Sequence, residues 1–439
     1  MKNSQKVLNA LHVASLVALP LLLAPYNNRL HSTDSKLAGL VVLFFLALVC
    51  VILKFNELDR STWNSLENIF LLVYMVLLVL SIFVAKYPAV ALLGSKTRMD
   101  GVLTFFLYAN CYFLARQAKG TSRFLFKAIA VSALLIAVLG IVQFFEVDPK
   151  WLRLYGSSFF GLSFSSMGNP NFLGTFLVLV LPVSLYVFIY QKAWWALLVY
   201  GVLFFNLLAT HTRGSWIGAF FGVLMFMLVG LSLYKNKKEL LKKYVLIVLV
   251  TGISFGSFVQ TSHYDFGERF WSIFTGLQDV IEDNEDAKYA GSFRFYVWGK
   301  VGTLIMERPL LGWGVENMTF AMRDHYYEEI VEDFGVFKNW DKAHNEFLNI
   351  AISSGIPSLL VYLSFLFLII KKGIRKIRYS PVHLMLFASI FGYLIQAQFN
   401  LQVIHVFYVW MAFLGLFSTE QHLSEVDLDR LDNKEVFEV

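Results

Sequence analysis

Runs of about 17–25 apolar residues recur along this chain, and each is as long as a helix must be to cross about 30 Å of hydrocarbon. They fall near Leu11–Tyr26, Leu37–Leu53, Leu66–Ala85, Val102–Ala115, Phe124–Phe145, Asn171–Tyr190, Ala193–Thr210, Trp216–Tyr234 and Tyr244–Gln260, then Glu346–Ile370, His383–Phe399 and Gln402–Phe417. The last two are separated only by Asn400 and Leu401, which suits a tight hairpin or a re-entrant pair. The chain is 57% hydrophobic and 15% charged, whereas a soluble domain carries about 25% charged residues. So large an apolar excess has no place in one water-facing core. The expected fold class is an all-α polytopic membrane protein with about 12 transmembrane helices and one large helical extracytoplasmic loop. The start, Met1 to Lys6 followed by an apolar stretch, has the form of a signal peptide, but no small-x-small cleavage site follows it. It reads as an uncleaved first span.

Charge sets the orientation. The formal net charge of +6 would point to nucleic acid in a soluble protein, but here the basic residues cluster in short inter-helix loops. With the N-terminus inside, nineteen Lys and Arg fall on the cytoplasmic side, including Lys235–Lys243 and Lys371–Arg378, against eight outside. That bias is topology control, and no nucleic-acid partner is expected. The chain then divides into transmembrane helices over 1–260, an acidic extracytoplasmic loop subdomain over 261–343, further spans over 344–418 and an acidic cytoplasmic tail over 419–439. Within the loop, Phe295, Trp298, Val301 and Ile305 repeat at helical spacing. They mark either an amphipathic helix on the membrane surface or a helix packed on its own loop. Cys50 and Cys111 lie in or near apolar runs without metal-ligand spacing and read as small core residues.

Several short motifs sit where the apolar runs begin. Gly168-Asn169-Pro170-Asn171 opens a span with an N-cap Asn and a first-position Pro. Capping accounts for it, and a helix amino end flanked by Asn amides also suits an anion or sugar hydroxyls. Thr210-His211-Thr212-Arg213-Gly214-Ser215-Trp216 places an arginine against the positive-inside bias. It is either a snorkelling anchor or a guanidinium held for a lipid phosphate. Arg294 begins the possible surface helix. Pro309-Leu310-Leu311-Gly312-Trp313-Gly314 reads as a sharp turn with accessible amides, and His344-Asn345-Glu346 marks re-entry into the membrane.

In order and placement these motifs resemble the O-antigen ligase and polymerase superfamily over about Asn169 to Leu360. The resemblance implies an integral membrane glycosyltransferase of cell-surface polysaccharide, such as lipopolysaccharide, in the bacterial cytoplasmic (inner) membrane. Its donor would be a glycan on a polyprenyl pyrophosphate such as undecaprenyl pyrophosphate, transferred with inversion to a glycan or lipid-glycan acceptor hydroxyl on the extracytoplasmic face. Carried over residue by residue, Arg213 and Arg294 bind the pyrophosphate and His344 serves near the reacting centre, with Glu346 the alternative base. Asn169, Asn171, Gly312, Gly314, Asn345 and Glu346 would contact substrate. Neither metal nor cofactor is implied, and the first outward loop, Asn27–Lys36, offers only Asp34 and no Asp-x-Asp pair. The rival class is a polysaccharide or lipid-linked glycan transporter or flippase. Ion-driven transport usually needs ionisable groups near the bilayer midplane, and the spans as read hold almost none.

Overall fold

The computed structural model describes residues 3–26, 29–54, 64–118, 123–147, 159–262, 267–268, 271 and 288–419. The acidic run Glu282–Asp286 and the tail from 420 lie outside the described residues. The helices are α1 (Asn3–Val17), α2 (Thr33–Lys54), α3 (Leu66–Ile82), α4 (Pro88–Leu93), α5 (Val102–Gln117), α6 (Arg123–Phe144), α7 (Pro170–Ile189), α8 (Trp195–Ala209), α9 (Arg213–Leu233), α10 (Lys237–Thr261), α11 (Arg294–Glu307), α12 (Met318–Phe334), α13 (Glu346–Ser354), α14 (Ile356–Ile377), α15 (Pro381–Gln396) and α16 (Phe407–Ser418). Six of them, α2, α6, α7, α9, α10 and α14, are long and apolar enough to cross a membrane by length and composition, and five shorter apolar helices accompany them. This is a multi-pass membrane protein.

The all-α class holds, and the first expected span, Leu11–Tyr26, ends earlier than the sequence reading. Pro20 sits in a 3-10 turn, Leu19–Leu21, and Pro25 follows. Proline cannot donate the bond that continues a helix, so the first span ends at Val17. A short antiparallel pair, β1 (Ala24–Tyr26) and β2 (Arg29–His31), takes its place.

The centre of the bundle is α7, whose most apolar stretch is entirely enclosed by other helices, whereas only 17% of the corresponding stretch of α10 is buried. Against α7 pack α8, α9 and α15. Helices α9 and α15 approach closely through small residues: a side chain at Gly218 would strike the Gly392 carbonyl oxygen at 2.6 Å. Such contacts let membrane helices bring their backbones together.

Two expected spans are broken. Glu346–Ile370 is really α13 and α14, interrupted at Gly355, and Gln402–Phe417 becomes helical only at Phe407. Residues Leu401 to Val406 are non-helical yet buried, which a bilayer tolerates only where protein surrounds the backbone. Helices α8, α15 and α16 are short, at 15, 16 and 12 residues.

The helix read from Phe295, Trp298, Val301 and Ile305 exists as α11, and it packs on its own segment. Val297, Val301, Leu304 and Ile305 are buried and form one apolar cluster with Trp313, Met318, Met322 and Ile352. Of the two sequence readings, the packed helix is the one observed.

Candidate functional site

Four helices point their amino ends at one place. At α7 the Asn169 side chain accepts from the Asn171 N–H at 2.8 Å, with Pro170 at the first helical position. Helix α9 opens at Arg213 and α11 at Arg294. At α13 the Asn345 side chain accepts from the N–H groups of Phe347 and Leu348, both at 3.0 Å. These ends surround a cavity of about 210 Å³, lined among others by Asn171, Arg213, Arg294 and His344. A helix amino end carries about half a positive charge, so a cation is disfavoured there and an anion welcome. Two arginines at the first positions of α9 and α11 therefore make a strongly anion-seeking wall.

Each charged group is held in place. Arg213 donates from Nη2 to the Ser292 hydroxyl at 2.9 Å. Arg294 donates from Nε to the Phe399 carbonyl at 3.1 Å and from Nη1 to the Gly291 carbonyl at 2.8 Å. Burial first, and the neighbouring Arg213 second, push the Arg294 guanidinium down to about 10, which leaves it cationic at neutral pH. The His344 imidazole is pushed down to about 4 by burial and then by Arg294. It is neutral in this setting, and its buried Nδ1 has no protein hydrogen-bond partner.

The wall is also strained. His211, Ser292, Phe293 and His344 all have left-handed backbones, with φ of 52°, 60°, 68° and 50°. Such conformations cost about 1–3 kcal/mol each for residues with a side chain and persist only where the surroundings over-determine them. For His344 the surroundings do so. Asp341 takes a two-point ion pair from Arg98, at 2.6 and 3.3 Å. Lys342 is buried between Asp100 at 2.5 Å and Glu316 at 3.1 Å and donates to the Gln402 carbonyl at 2.9 Å. Burial by itself would lower the Lys342 pKa, but the Asp100 and Glu316 carboxylates hold it above the usual lysine value. The Ala343 carbonyl accepts from the Trp298 indole at 2.8 Å, and the Glu346 N–H reaches the Ala397 carbonyl at 2.9 Å.

Of the residues singled out in the sequence, the cavity thus brings together Asn171, Arg213, Arg294 and His344. Asn169 and Asn345 act as caps beside it. Gly312 and Gly314 lie elsewhere. Both have left-handed φ, and an added Cβ would strike the Ile352 carbonyl oxygen at 2.4 Å and the Ala85 side chain at 2.4 Å. The Trp313 and Gly314 amides donate to Ile352 and Ser353 carbonyls at 2.8 and 2.9 Å, so this turn clamps α13 and its amides are already committed. Glu346 is turned away too. Its carboxylate is buried and accepts from the Tyr362 and Tyr393 hydroxyls, each at 2.7 Å, tying α13 to α14 and α15. It neither faces the cavity nor caps the first turn of its helix.

Sequence reasoning missed Ser292, Phe293, Trp340 and the Phe399 carbonyl. Only the first two had a signal, standing just before Arg294; the others reach the site through folding. It also placed too few ionisable groups inside: Glu346, Lys342 and Asp100 are all buried. Among the described residues, no three His, Cys, Asp or Glu are grouped as metal ligands.

No curated protein matches the chain. Residues 198–363, which hold Arg213, Arg294 and His344, match the family model described as O-Antigen ligase. Over these residues the chain is similar to that family, and the matched stretch holds the Arg213, Arg294 and His344 motifs on which the resemblance rests.

Proposed function

We propose that the protein is a membrane glycosyltransferase of the O-antigen ligase and polymerase type, moving a glycan from a polyprenyl pyrophosphate to an acceptor hydroxyl with inversion at the anomeric carbon. One observation carries the reading: four helix amino ends, two arginines and a neutral histidine converge on a single cavity. An acceptor oxygen attacks the anomeric carbon as the bond from that carbon to the phosphate oxygen breaks. The bonding pair leaves with the pyrophosphate, whose growing charge is met by Arg213 and Arg294 without reorganisation. The acceptor's proton passes to His344, which is unprotonated and able to receive it.

The isoprenoid tail has a place as well. An apolar hollow of about 300 Å³ between α8, α9 and α10 is lined by Trp216, Ala219, Val223, Met227 and Val248, among others. It begins one helical turn from Arg213. A headgroup on the arginines and a tail in this hollow match the two-part chemistry of the donor. In this reading segment 261–343 and the cavity face outward, so a reporter after Lys238 or Lys376 is expected to read cytoplasmic and one near Asn284 external. An external reading at Lys376 would put the site on the wrong face.

The direct test is turnover of a lipid-linked glycan by the purified protein, with transfer expected to persist in chelator. A protein that only moves lipid-linked glycan across a bilayer would show no transfer. Loss of transfer in chelator and its return with a divalent ion would overturn metal independence.

The state of His344 fixes a pH signature. Burial and Arg294 favour the neutral ring, so the free enzyme keeps its base down to about pH 4. The acid limb of kcat/KM from this group is expected there, with a flat profile through pH 6.5. Bound pyrophosphate attracts the proton back, so the corresponding limb in kcat is expected at higher pH, since kcat reports the complex. A kcat/KM limb centred near the ordinary value of about 6.5 would count against His344 as the base.

A further inference from the structure

Aromatic residues gather on one side of the cavity. Phe293 and Trp340 line it, their ring centres 6.2 Å apart. Behind them Phe334 packs at 5.6 Å from Phe293 and 5.9 Å from Trp340, and Tyr296 at 5.9 Å from Trp340. The Tyr296 hydroxyl is fixed to Asp333 at 2.7 Å, so the backing is stiff. Lys338 covers Phe293 at 3.8 Å from the ring centre, so one face of that ring is taken, and Trp340 is the other large aromatic side chain lining the cavity.

Trp340 also differs from the other described tryptophans that are not exposed in how its indole N–H is used. Trp216 donates to the Leu207 carbonyl at 2.9 Å, Trp298 to Ala343 at 2.8 Å, Trp313 to Leu304 at 2.9 Å and Trp410 to the Tyr362 hydroxyl at 3.1 Å. Trp340, half-buried at the cavity, makes no such bond among the described residues. Tyrosine and tryptophan usually find a polar partner when buried, and they serve where one end of a ligand is apolar and the other wet. A pyranose ring is such a ligand: its C–H face is weakly apolar and its rim carries hydroxyls. A phosphate belongs on the guanidinium wall. Both walls bound one cavity of about 210 Å³, small against the roughly 300–1,000 Å³ of drug-sized sites, so it has room for a headgroup and an adjoining sugar but not for a whole glycan.

We propose that Trp340 is the sugar platform of this site: the pyranose joined to the donor's pyrophosphate packs its C–H face on the indole ring, while Nε1 at the ring edge donates to a donor oxygen lying beside the ring rather than above it. This rests on the donor reading above and adds which residue reads the sugar. It makes Trp340 a determinant of donor recognition, separate from the arginines that read the phosphates.

The test measures binding of two probes to the full-length protein in detergent, a polyprenyl pyrophosphate and the same lipid carrying one hexose. For Trp340→Ala, affinity for the hexose-bearing lipid is expected to fall about tenfold, near 1.4 kcal/mol, while affinity for the sugar-free lipid stays at the wild-type value. Trp340→Phe keeps a ring without the N–H and is expected to fall between. Arg294→Lys is expected to weaken both lipids alike. Equal losses on both lipids in Trp340→Ala would reduce Trp340 to a support of the loop and overturn the proposal, and so would no loss on either. Wild-type protein that binds neither lipid would overturn the donor reading itself and this inference with it.

Discussion

Replacing Arg294 by lysine is expected to lower glycan transfer about 100-fold or more, the scale of removing one fixed donor from a charge-developing transition state. Lysine keeps the charge, so a merely electrostatic attraction would survive the change. It loses the planar fork, and with it the simultaneous bonds to the Phe399 and Gly291 carbonyls that aim the guanidinium. Arg213→Lys is expected to impair transfer as well, because it too loses the planar fork, whose Nη2 donates to the Ser292 hydroxyl. His344→Ala is expected to abolish transfer while thermal stability stays near wild type, since its imidazole nitrogen Nδ1 makes no internal hydrogen bond to lose. Wild-type rates in the arginine and histidine variants, measured in one purified assay, would defeat the proposed site.

A second large effect is expected in stability. Lys342→Met would leave Asp100 and Glu316 facing each other without their cation in a buried setting. Breaking a buried pair by removing one partner costs about 3–5 kcal/mol, whereas replacing the whole set with apolar groups is often neutral. The single variant should therefore show a large fall in thermal midpoint, and adding Asp100→Asn and Glu316→Gln should recover part of it. A Lys342→Met protein as stable as wild type would mean that these charges are reached by water. Because Lys342 stands two residues before His344, the variant is also expected to release the strained His344 backbone and to lose activity beyond its loss of folded protein.

What was legible in the sequence was whatever is local. Arg213 and Arg294 stand beside turn and cap residues at helix starts, and a cation in such a place is already a physical anomaly. His344 precedes an Asn cap, whose geometry depends only on the next three residues. Gly312 and Gly314 lie away from the cavity, which the sequence could not show, because a glycine turn looks the same whether its amides await a ligand or already serve Ile352 and Ser353. The setting of Glu346 was hidden for a similar reason: its partners Tyr362 and Tyr393 lie on two later helices. The Lys342–Asp100 pair joins residues 242 apart, and no periodicity announces it. Trp340 looked like one more aromatic residue of the acidic segment until the cavity gave it a neighbour.

The short helices around the site bear on the membrane itself. At 1.5 Å per residue, α8 with 15 residues spans about 22 Å, α15 with 16 about 24 Å and α16 with 12 about 18 Å. All fall short of the roughly 30 Å hydrocarbon layer. The cavity side takes up the shortfall, because α8 ends at Ala209, just before His211 and Thr212 of the cavity lining, while α15 and α16 are joined through Phe399 and the buried stretch Leu401–Val406. Because α15 and α16 are almost wholly enclosed by other helices, the shortfall is met inside the protein rather than by lipid. The non-helical backbone that joins them is thereby kept from hydrocarbon, as a bilayer requires of any segment whose amides and carbonyls are not paired within a helix.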